Sequence, residues 1–187
     1  MVNTFFEGKV EQLFDVAKRL GEALEKASIP YQVIGGFATF VHVDRVDPIA
    51  ARLTRDIDVA VDRHDLARIS AAAESVGLRY RHAAGIDMLV DANAPRARSA
   101  VHLVFVNEKV RPNYLEAVPG VSKPARTEGG VLIAPVADLV KMKLTSFRLK
   151  DQVHIKDLDS VRLITAEIEA GLSEALRKRL AEVRAAE

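Results

Sequence analysis

Hydrophobic positions switch repeatedly between helical and strand-like spacing along this 187-residue chain. Over residues 7–27, Val10, Leu13, Phe14, Ala17, Leu20 and Leu24 recur every three or four positions, which is the spacing of one buried helix face. Ser28-Ile29-Pro30 ends that helix, because the residue before a proline is pushed out of the helical region. Residues 31–34 predict a short buried strand that runs into Gly35-Gly36, and the apolar stretch 37–43 predicts a short helix after the glycine turn. Residues 44–55, with Asp47-Pro48 and several charges, read as loop. Alternation then takes over: Ile57, Val59 and Val61 interleave with Asp56, Asp58 and Ala60, as on a strand. Residues 65–76 return to helical spacing through Leu66, Ile69, Ala73 and Val76, with Gly77 as a C-terminal stop.

Residues 78–82, 86–90 and 100–106 predict three more strands, the last two separated by Asn93-Ala94-Pro95. Residues 111–128 hold Pro112, Pro119, Gly120 and Pro124 and read as an extended loop, followed by a short strand over 131–134. From Pro135, a residue suited to a helix start, the pattern is helical to the end. Leu139, Val140, Leu144 and Phe147 form one face, Val153, Leu158, Val161 and Ile164 a second, and Leu172, Leu176, Leu180 and Val183 a third. The order predicts an α+β fold. A mixed β-sheet flanked by helices occupies residues 1–134, and a helical segment, 135–187, packs on it in one compact domain.

Composition narrows the functional classes. Hydrophobic residues at 49% and charged residues at 28% support a real core rather than disorder. Lys plus Arg number 27 against 26 Asp plus Glu, so the net charge of +1 excludes a generic nucleic-acid-coating protein. The absence of Cys excludes disulfide scaffolds, thiolate zinc sites, iron–sulfur clusters and thiol nucleophiles. With no Trp and 5% aromatics, a platform for stacking several bases is hard to build. The longest near-apolar run, 33–41, is broken by two glycines and falls short of the ~20 residues of a bilayer span. Charges begin by Glu7, unlike a secretory signal. The expectation is a cytoplasmic protein with no membrane partner.

One constellation carries chemistry. Asp56 and Asp58 stand at i and i+2, so on a strand they share a face, while Ile57, Val59 and Val61 share the other. Two adjacent acids repel unless something positive compensates, and a divalent ion does so well. Mg²⁺ takes one or two carboxylates together with substrate phosphate oxygens. A lone D-x-D is otherwise a solvated strand face, and a lone Gly-Gly only a tight turn. Their conjunction is more specific. Gly35-Gly36 sits between a strand and a helix, where backbone N–H groups bind phosphate, and Arg52-Leu53-Thr54-Arg55-Asp56-Ile57-Asp58 follows on the next strand.

On VIGGFATF (33–40) and RLTRDIDVAV (52–61) the sequence resembles the DNA polymerase β-like nucleotidyltransferase superfamily. The likeness is greatest to its small bacterial members, the minimal nucleotidyltransferases and abortive-infection-type toxins. PVADLVKMKLTSFRLKD (135–151) is similar to the helix after the core in that group. The organisation matches over about residues 7–160, with specificity in the first two motifs alone. The resemblance implies a nucleotidyltransferase fold and transfer of a nucleoside monophosphate from an NTP to a hydroxyl or phosphate, with release of pyrophosphate. It implies Mg²⁺ or Mn²⁺ on Asp56 and Asp58, phosphates on Gly35 and Gly36, and polar support from Arg52 and Thr54. Lys141 or Lys143 is placed to reach phosphates, unless both belong to a solvated helix face. The acceptor is left open among RNA, a protein hydroxyl and a small molecule, and an antitoxin-like protein partner is a further expectation.

The sequence departs from that family at one place. Where a third carboxylate is usual, the strand Ala100-Val101-His102-Leu103-Val104-Phe105 carries His102. Histidine can accept a proton near neutral pH or bind metal. Otherwise catalysis is lost and nucleotide binding remains, in a regulatory or antitoxin-like protein, or Asp87 or Asp91 supplies the acid. Lys150-Asp151 and Lys156-Asp157 read as helix-surface ion pairs of little weight. His42, His64, His82 and His154 lack a metal-ligand pattern. Arg79, Arg81, Arg96, Arg98, Lys109 and Arg111 form either a positive rim for a polynucleotide or solvated strand edges.

Overall fold

The computed structural model describes residues 2–52, 54, 56–93 and 100–186, the first nine of them as backbone. Arg55, Arg96 and Arg98 lie outside the described residues, as does the Ala94-Pro95 separator. Helix α1 (Val2–Lys26) leads into β1 (Tyr31–Ile34), α2 (Gly35–Asp44) and β2 (Ile57–Val61). A 3-10 turn at Arg63–Asp65 precedes α3 (Leu66–Glu74). Strands β3 (Leu78–Ala83), β4 (Ile86–Asp91) and β5 (Val101–Phe105) follow, then two-residue strands β6 (Ala125–Arg126) and β7 (Leu132–Ile133). Helices α4 (Val136–Ser146), α5 (Leu149–Ser160), α6 (Ala166–Ala170) and α7 (Glu174–Ala185) complete the chain. The short α6 was not legible as a separate helix, because five residues offer too little periodicity.

The strands form one mixed sheet in the order β3-β4-β5-β2-β1-β7-β6. β1 and β2 are antiparallel, β2 and β5 parallel, and β1 and β7 parallel. The hairpin β3–β4 turns through Ala84 and Gly85, both at positive φ (51° and 74°), which matches the twist of the flanking strands. The glycine turn follows β1, and Asp58 lies on β2 with Asp56 just before that strand rather than on it, so both features stand at the middle of the sheet and not at its edge.

Ile57, Val59 and Val61 are 2%, 1% and 0% exposed, and their partners Val101, Leu103 and Phe105 share their face in one core with α1 and α3 residues such as Leu24 and Ile69. Phe14 of α1 meets Phe37 of α2 edge-on at 4.7 Å between ring centres, which ties the two helices together. A second cluster joins Val43 of α2 to Val140 and Leu144 of α4, Ile155 and Leu158 of α5, and Leu176, Leu180 and Val183 of α7. The C-terminal helices are thus anchored on the helix that begins at the glycine turn. Among the described residues no helix is long and apolar enough to cross a membrane.

The end of α4 is held by α7. Phe147 takes a left-handed conformation (φ 52°) at the C-cap, and its N–H bonds the Lys143 carbonyl. Arg179 donates to the carbonyls of Leu144 (2.7 Å) and Thr145 (2.8 Å) and lies 4.7 Å over the Phe147 ring. Those carbonyls are among the four that a helix end leaves unpaired. Arg179→Met keeps much of the packing and removes the donors. It is expected to lower unfolding free energy by about 1–3 kcal/mol, read as a lower urea midpoint with an unchanged m-value.

Candidate active site

Strand register builds the site. Ile34, the last residue of β1, pairs with Asp58 of β2, and Asp58 pairs with His102 of β5. Residues paired in this way share a face, so Ile34, Asp58 and His102 form a row across the three central strands. The chain leaves β1 beside that row. Gly35 has φ +72°, a conformation side chains resist, and an added Cβ would run into the Asp58 carboxylate. At Gly36 an added Cβ would lie 2.7 Å from Thr54 Oγ1 and 3.4 Å from His154 Cε1. Both glycines are therefore demanded by close approach. Ile34 is the N-cap of α2 and supplies no side-chain hydrogen bond. The first amides of the ten-residue helix are left as an anion-binding terminus next to the acids.

Asp56 lies two residues before Asp58, and both line a cavity of about 630 Å³ together with Gly35, His102 and Lys143. That volume falls in the range that encloses small ligands, roughly 300–1,000 Å³. His102 Nδ1 stands 3.2 Å from Asp58 Oδ1, and the two side chains are 28% and 30% exposed. The bond to Asp58 raises the His102 pKa above its usual 6.5. Partial burial opposes the rise, and the charges of Asp58 and Asp56 assist it.

An ionic cluster at the α4–α5 junction forms part of the cavity wall, through Lys143, Ser146, Arg148 and Asp151. Lys143 is 5% exposed and Asp151 is fully buried. Lys143 Nζ donates to Asp151 Oδ1 (3.3 Å) and to His154 Nδ1 (2.8 Å). Asp151 Oδ2 also accepts from Ser146 Oγ and Arg148 Nε, each at 2.7 Å. Burial alone would raise the Asp151 pKa, but the bonds from Arg148 and Ser146 and the Lys143 charge hold it below the usual carboxylate value. Burial lowers the Lys143 pKa, while Asp151 and, more weakly, Asp58 pull it back up. Burial and the Lys143 charge push the His154 pKa down to about 4, so its ring is neutral at physiological pH.

The sequence candidates separate into groups. Gly35, Asp56, Asp58, His102 and Lys143 line one cavity, and Gly36 and Thr54 pack against each other at its side. Arg52, with a side chain 66% exposed, donates to Asp157 at 2.9 Å and ties the loop before β2 to α5. Lys141 does not line the cavity, and its charge acts on the buried Asp138 of the same helix. Asp87 reaches the cavity rim from the other face of the sheet. It pairs with Leu103 rather than with His102, and one of its oxygens is engaged by Tyr80 (2.6 Å) and His82 (2.8 Å). Asp91 stands at the far end of β4, opposite Leu78.

Several side chains expected to be surface features are not. Asp151 is shared by Lys143 and Arg148 instead of pairing with Lys150, and Asp157 is bound by Arg52 rather than Lys156, which donates to the Ala186 carbonyl. Nor are the histidines without partners: His64 bonds Asp62, His82 bonds Asp87, His42 bonds the Ala134 carbonyl and His154 bonds Lys143. Sequence reading missed Asp151, Arg148 and His154 because their relation to Lys143 passes through a left-handed turn between two helices. No single-helix spacing encodes that relation. Among the described residues, no group of three acidic, His or Cys side chains is close enough to enclose a metal alone. Two carboxylates open to a cavity are the donor set that Mg²⁺ or Mn²⁺ completes with substrate phosphates and water.

No family model matches this sequence, and no curated protein matches it. Solved structures do. The solution structure of the antibiotic-resistance factor ANT(2'')-Ia superposes with a TM-score of 0.57 at 17% identity, covering 91% of this chain and 94% of that one. The crystal structure of ANT(2'')-Ia in complex with adenylyl-2''-tobramycin gives 0.50 at 16% identity over 91% and 96% of the two chains. An antigenic nucleotidyltransferase-like protein from Paracoccidioides brasiliensis gives 0.59 at 20% identity over 92% and 87%. These likenesses establish a nucleotidyltransferase fold.

Gly35→Ala tests the close approach. The left-handed backbone and the blocked Cβ should cost about 1–3 kcal/mol of stability or displace Asp58. Urea titration reads the first and loss of NTP binding by calorimetry the second. A variant with wild-type stability and wild-type binding would refute the steric account.

Proposed function

We propose that this chain is a metal-dependent nucleotidyltransferase that moves a nucleoside monophosphate from an NTP to a hydroxyl or phosphate acceptor. The observation that carries the reading is the cross-strand row Ile34–Asp58–His102, set directly beside the uncapped N-terminus of α2 at Gly35. A phosphate chain placed there meets backbone N–H groups at one end and Lys143 at another. The fold-level likeness to ANT(2'')-Ia, seen in complex with adenylyl-2''-tobramycin, agrees with nucleotidyl transfer as a class. It leaves the acceptor open among RNA, a protein hydroxyl and a small molecule, with or without an antitoxin-like partner.

Asp56 and Asp58 would hold Mg²⁺ or Mn²⁺, which would supply charge neutralisation at the phosphates and activation of the attacking oxygen. The remaining work falls to the chain. With Nδ1–H donating to Asp58, the neutral His102 ring keeps its lone pair on Nε2. In the transfer, the acceptor oxygen forms a bond to the α-phosphorus and its proton passes to His102 Nε2. The α-phosphorus bond to the bridging oxygen breaks, and pyrophosphate leaves. Phosphoryl-type transfer asks chiefly for positioning and charge stabilisation, which the α2 terminus and Lys143 provide.

A second reading keeps nucleotide binding without turnover. It is favoured by the same bond: His102 engages an oxygen of Asp58 that a metal would use. Radiolabelled NTPs with Mg²⁺ or Mn²⁺, offered RNA, protein and small-molecule acceptors, separate the two. For the enzyme, label transfer and pyrophosphate release should fall by about 10²-fold or more in Asp56→Asn and Asp58→Asn. The rate should rise with pH along a limb that reports loss of the His102 proton, because the ring must be neutral to act as base. His102→Ala should remove that limb. Binding without turnover, with activity gained in His102→Asp, would establish the regulator. Absence of both NTP and metal binding would end both readings.

A further inference from the structure

We infer that His154 is a positioning residue that, with Asp151, aims the Lys143 ammonium into the cavity as a ligand for the nucleotide's phosphates. The inference rests on the nucleotidyltransferase reading and adds to it a residue that no motif supplies.

A protonated lysine has three N–H donors and no acceptor. One of those on Lys143 goes to Asp151 Oδ1 and one to His154 Nδ1. The third has no hydrogen-bonded partner among the described residues, although Lys143 is 95% buried and lines the cavity that holds Asp56 and Asp58. Tetrahedral geometry fixes the direction of the third bond once the other two are set. Both set bonds come from α5, and Lys143 itself lines the cavity, so the third donor has the cavity space open to it.

The charge count points the same way. Lys143 and Arg148 are two cations that share the single carboxylate of Asp151. His154 adds no charge, since its Nδ1 accepts from the ammonium and its ring is neutral. The Arg148 side chain is 48% exposed and so partly solvated, whereas the Lys143 ammonium is buried with Asp151 beside it and the Asp58 charge acting more weakly, which leaves its hydrogen-bond set one partner short. A phosphate group arriving in the cavity would complete it. An aspartate at position 154 would instead neutralise Lys143 and remove its reason to bind phosphate. A neutral acceptor fixes direction without spending charge. His154 also stands at the glycine turn, with Cε1 3.4 Å from where a Gly36 Cβ would be. The lysine support and the phosphate-binding turn are therefore built against each other.

The test uses the full chain and two substitutions. His154→Phe keeps a ring of similar size and removes the acceptor, whereas His154→Asn places a carbonyl oxygen near the position of Nδ1. Calorimetry with Mg²⁺ follows each of the four NTPs, the corresponding nucleosides, and inorganic tripolyphosphate as a base-independent probe. The phenylalanine variant should weaken NTP and tripolyphosphate binding about tenfold and leave nucleoside binding unchanged. The asparagine variant should recover affinity to within about threefold of wild type. Lys143→Met should weaken NTP binding at least as much, and adding His154→Phe to it should change nothing further. Wild-type NTP affinity in His154→Phe overturns the inference and leaves the nucleotidyltransferase reading intact. Equal losses for NTP and nucleoside in both His154 variants also overturn it, by showing a general structural role. No NTP bound by the wild type removes the parent reading and the inference together.

Discussion

The contact between Gly35 and the Asp58 carboxylate sets the terms for the rest of the molecule. A strand must end, a helix must begin, and an acid on the neighbouring strand must lie closer to the turn than any Cβ allows. Antiparallel pairing of Ile34 with Asp58 brings the two together, and only glycine tolerates the positive φ that starts α2 there. Once the turn is fixed, the α2 axis is fixed, and with it the amides that face the acids. Phe37 on α2 then locks against Phe14 of α1, and Val43 at the other end seeds the cluster with α4, α5 and α7. A backbone constraint at one residue thus positions both hydrophobic cores.

The C-terminal helices bring charged side chains to the cavity as well as apolar bulk to the core. Lys143 and Asp151 are buried together, and a buried ion pair is poor evidence of stability because desolvation offsets attraction. Both residues also line the cavity. The helix that carries Lys143 is terminated by a left-handed Phe147, and Arg179 of α7 binds the last carbonyls of that helix. Arg52, on the loop before the acids, is bound by Asp157 of α5. Two polar ties therefore couple the end of the chain to the elements around Asp58: one beneath Lys143, the other through the loop into β2.

Local pattern made most elements legible. Alternation at 57–61 and helical spacing at 66–76 are short-range signals, and the glycine turn is announced by its own residues. The row Ile34–Asp58–His102 was legible in part, because Asp58 and His102 both stand out in apolar strands; their direct pairing was not, since strand order and register are long-range properties. The rank of β1 and β2 at the sheet's centre follows from a parallel β2–β5 partnership that crosses more than forty residues of chain. The ionic cluster was least legible. Lys143, Asp151 and His154 fall on two helices whose angle depends on one left-handed residue, and burial, which turns ordinary surface types into a site, is not written in a single segment. The same lack of long-range information made Asp87 look interchangeable with other acids, although register puts it on the opposite face from His102.

Histidine in place of a third acid alters the charge balance of the site. Three carboxylates would give the row a charge of −3, whereas Asp56, Asp58 and a neutral His102 give −2, and a protonated His102 reduces it further. Its pKa is raised chiefly by the bond to Asp58, with the charges of Asp58 and Asp56 assisting. A less negative row attracts cations less strongly and repels phosphate less strongly. The same cavity is lined by Lys143 and Arg148, which share the Asp151 carboxylate. A substrate phosphate chain would then be drawn in mainly by the helices rather than through a heavily charged strand face. The near-neutral total of 27 basic and 26 acidic residues conceals a local arrangement in which Asp56, Asp58 and His102 line the same cavity as Lys143, Arg148 and Lys150.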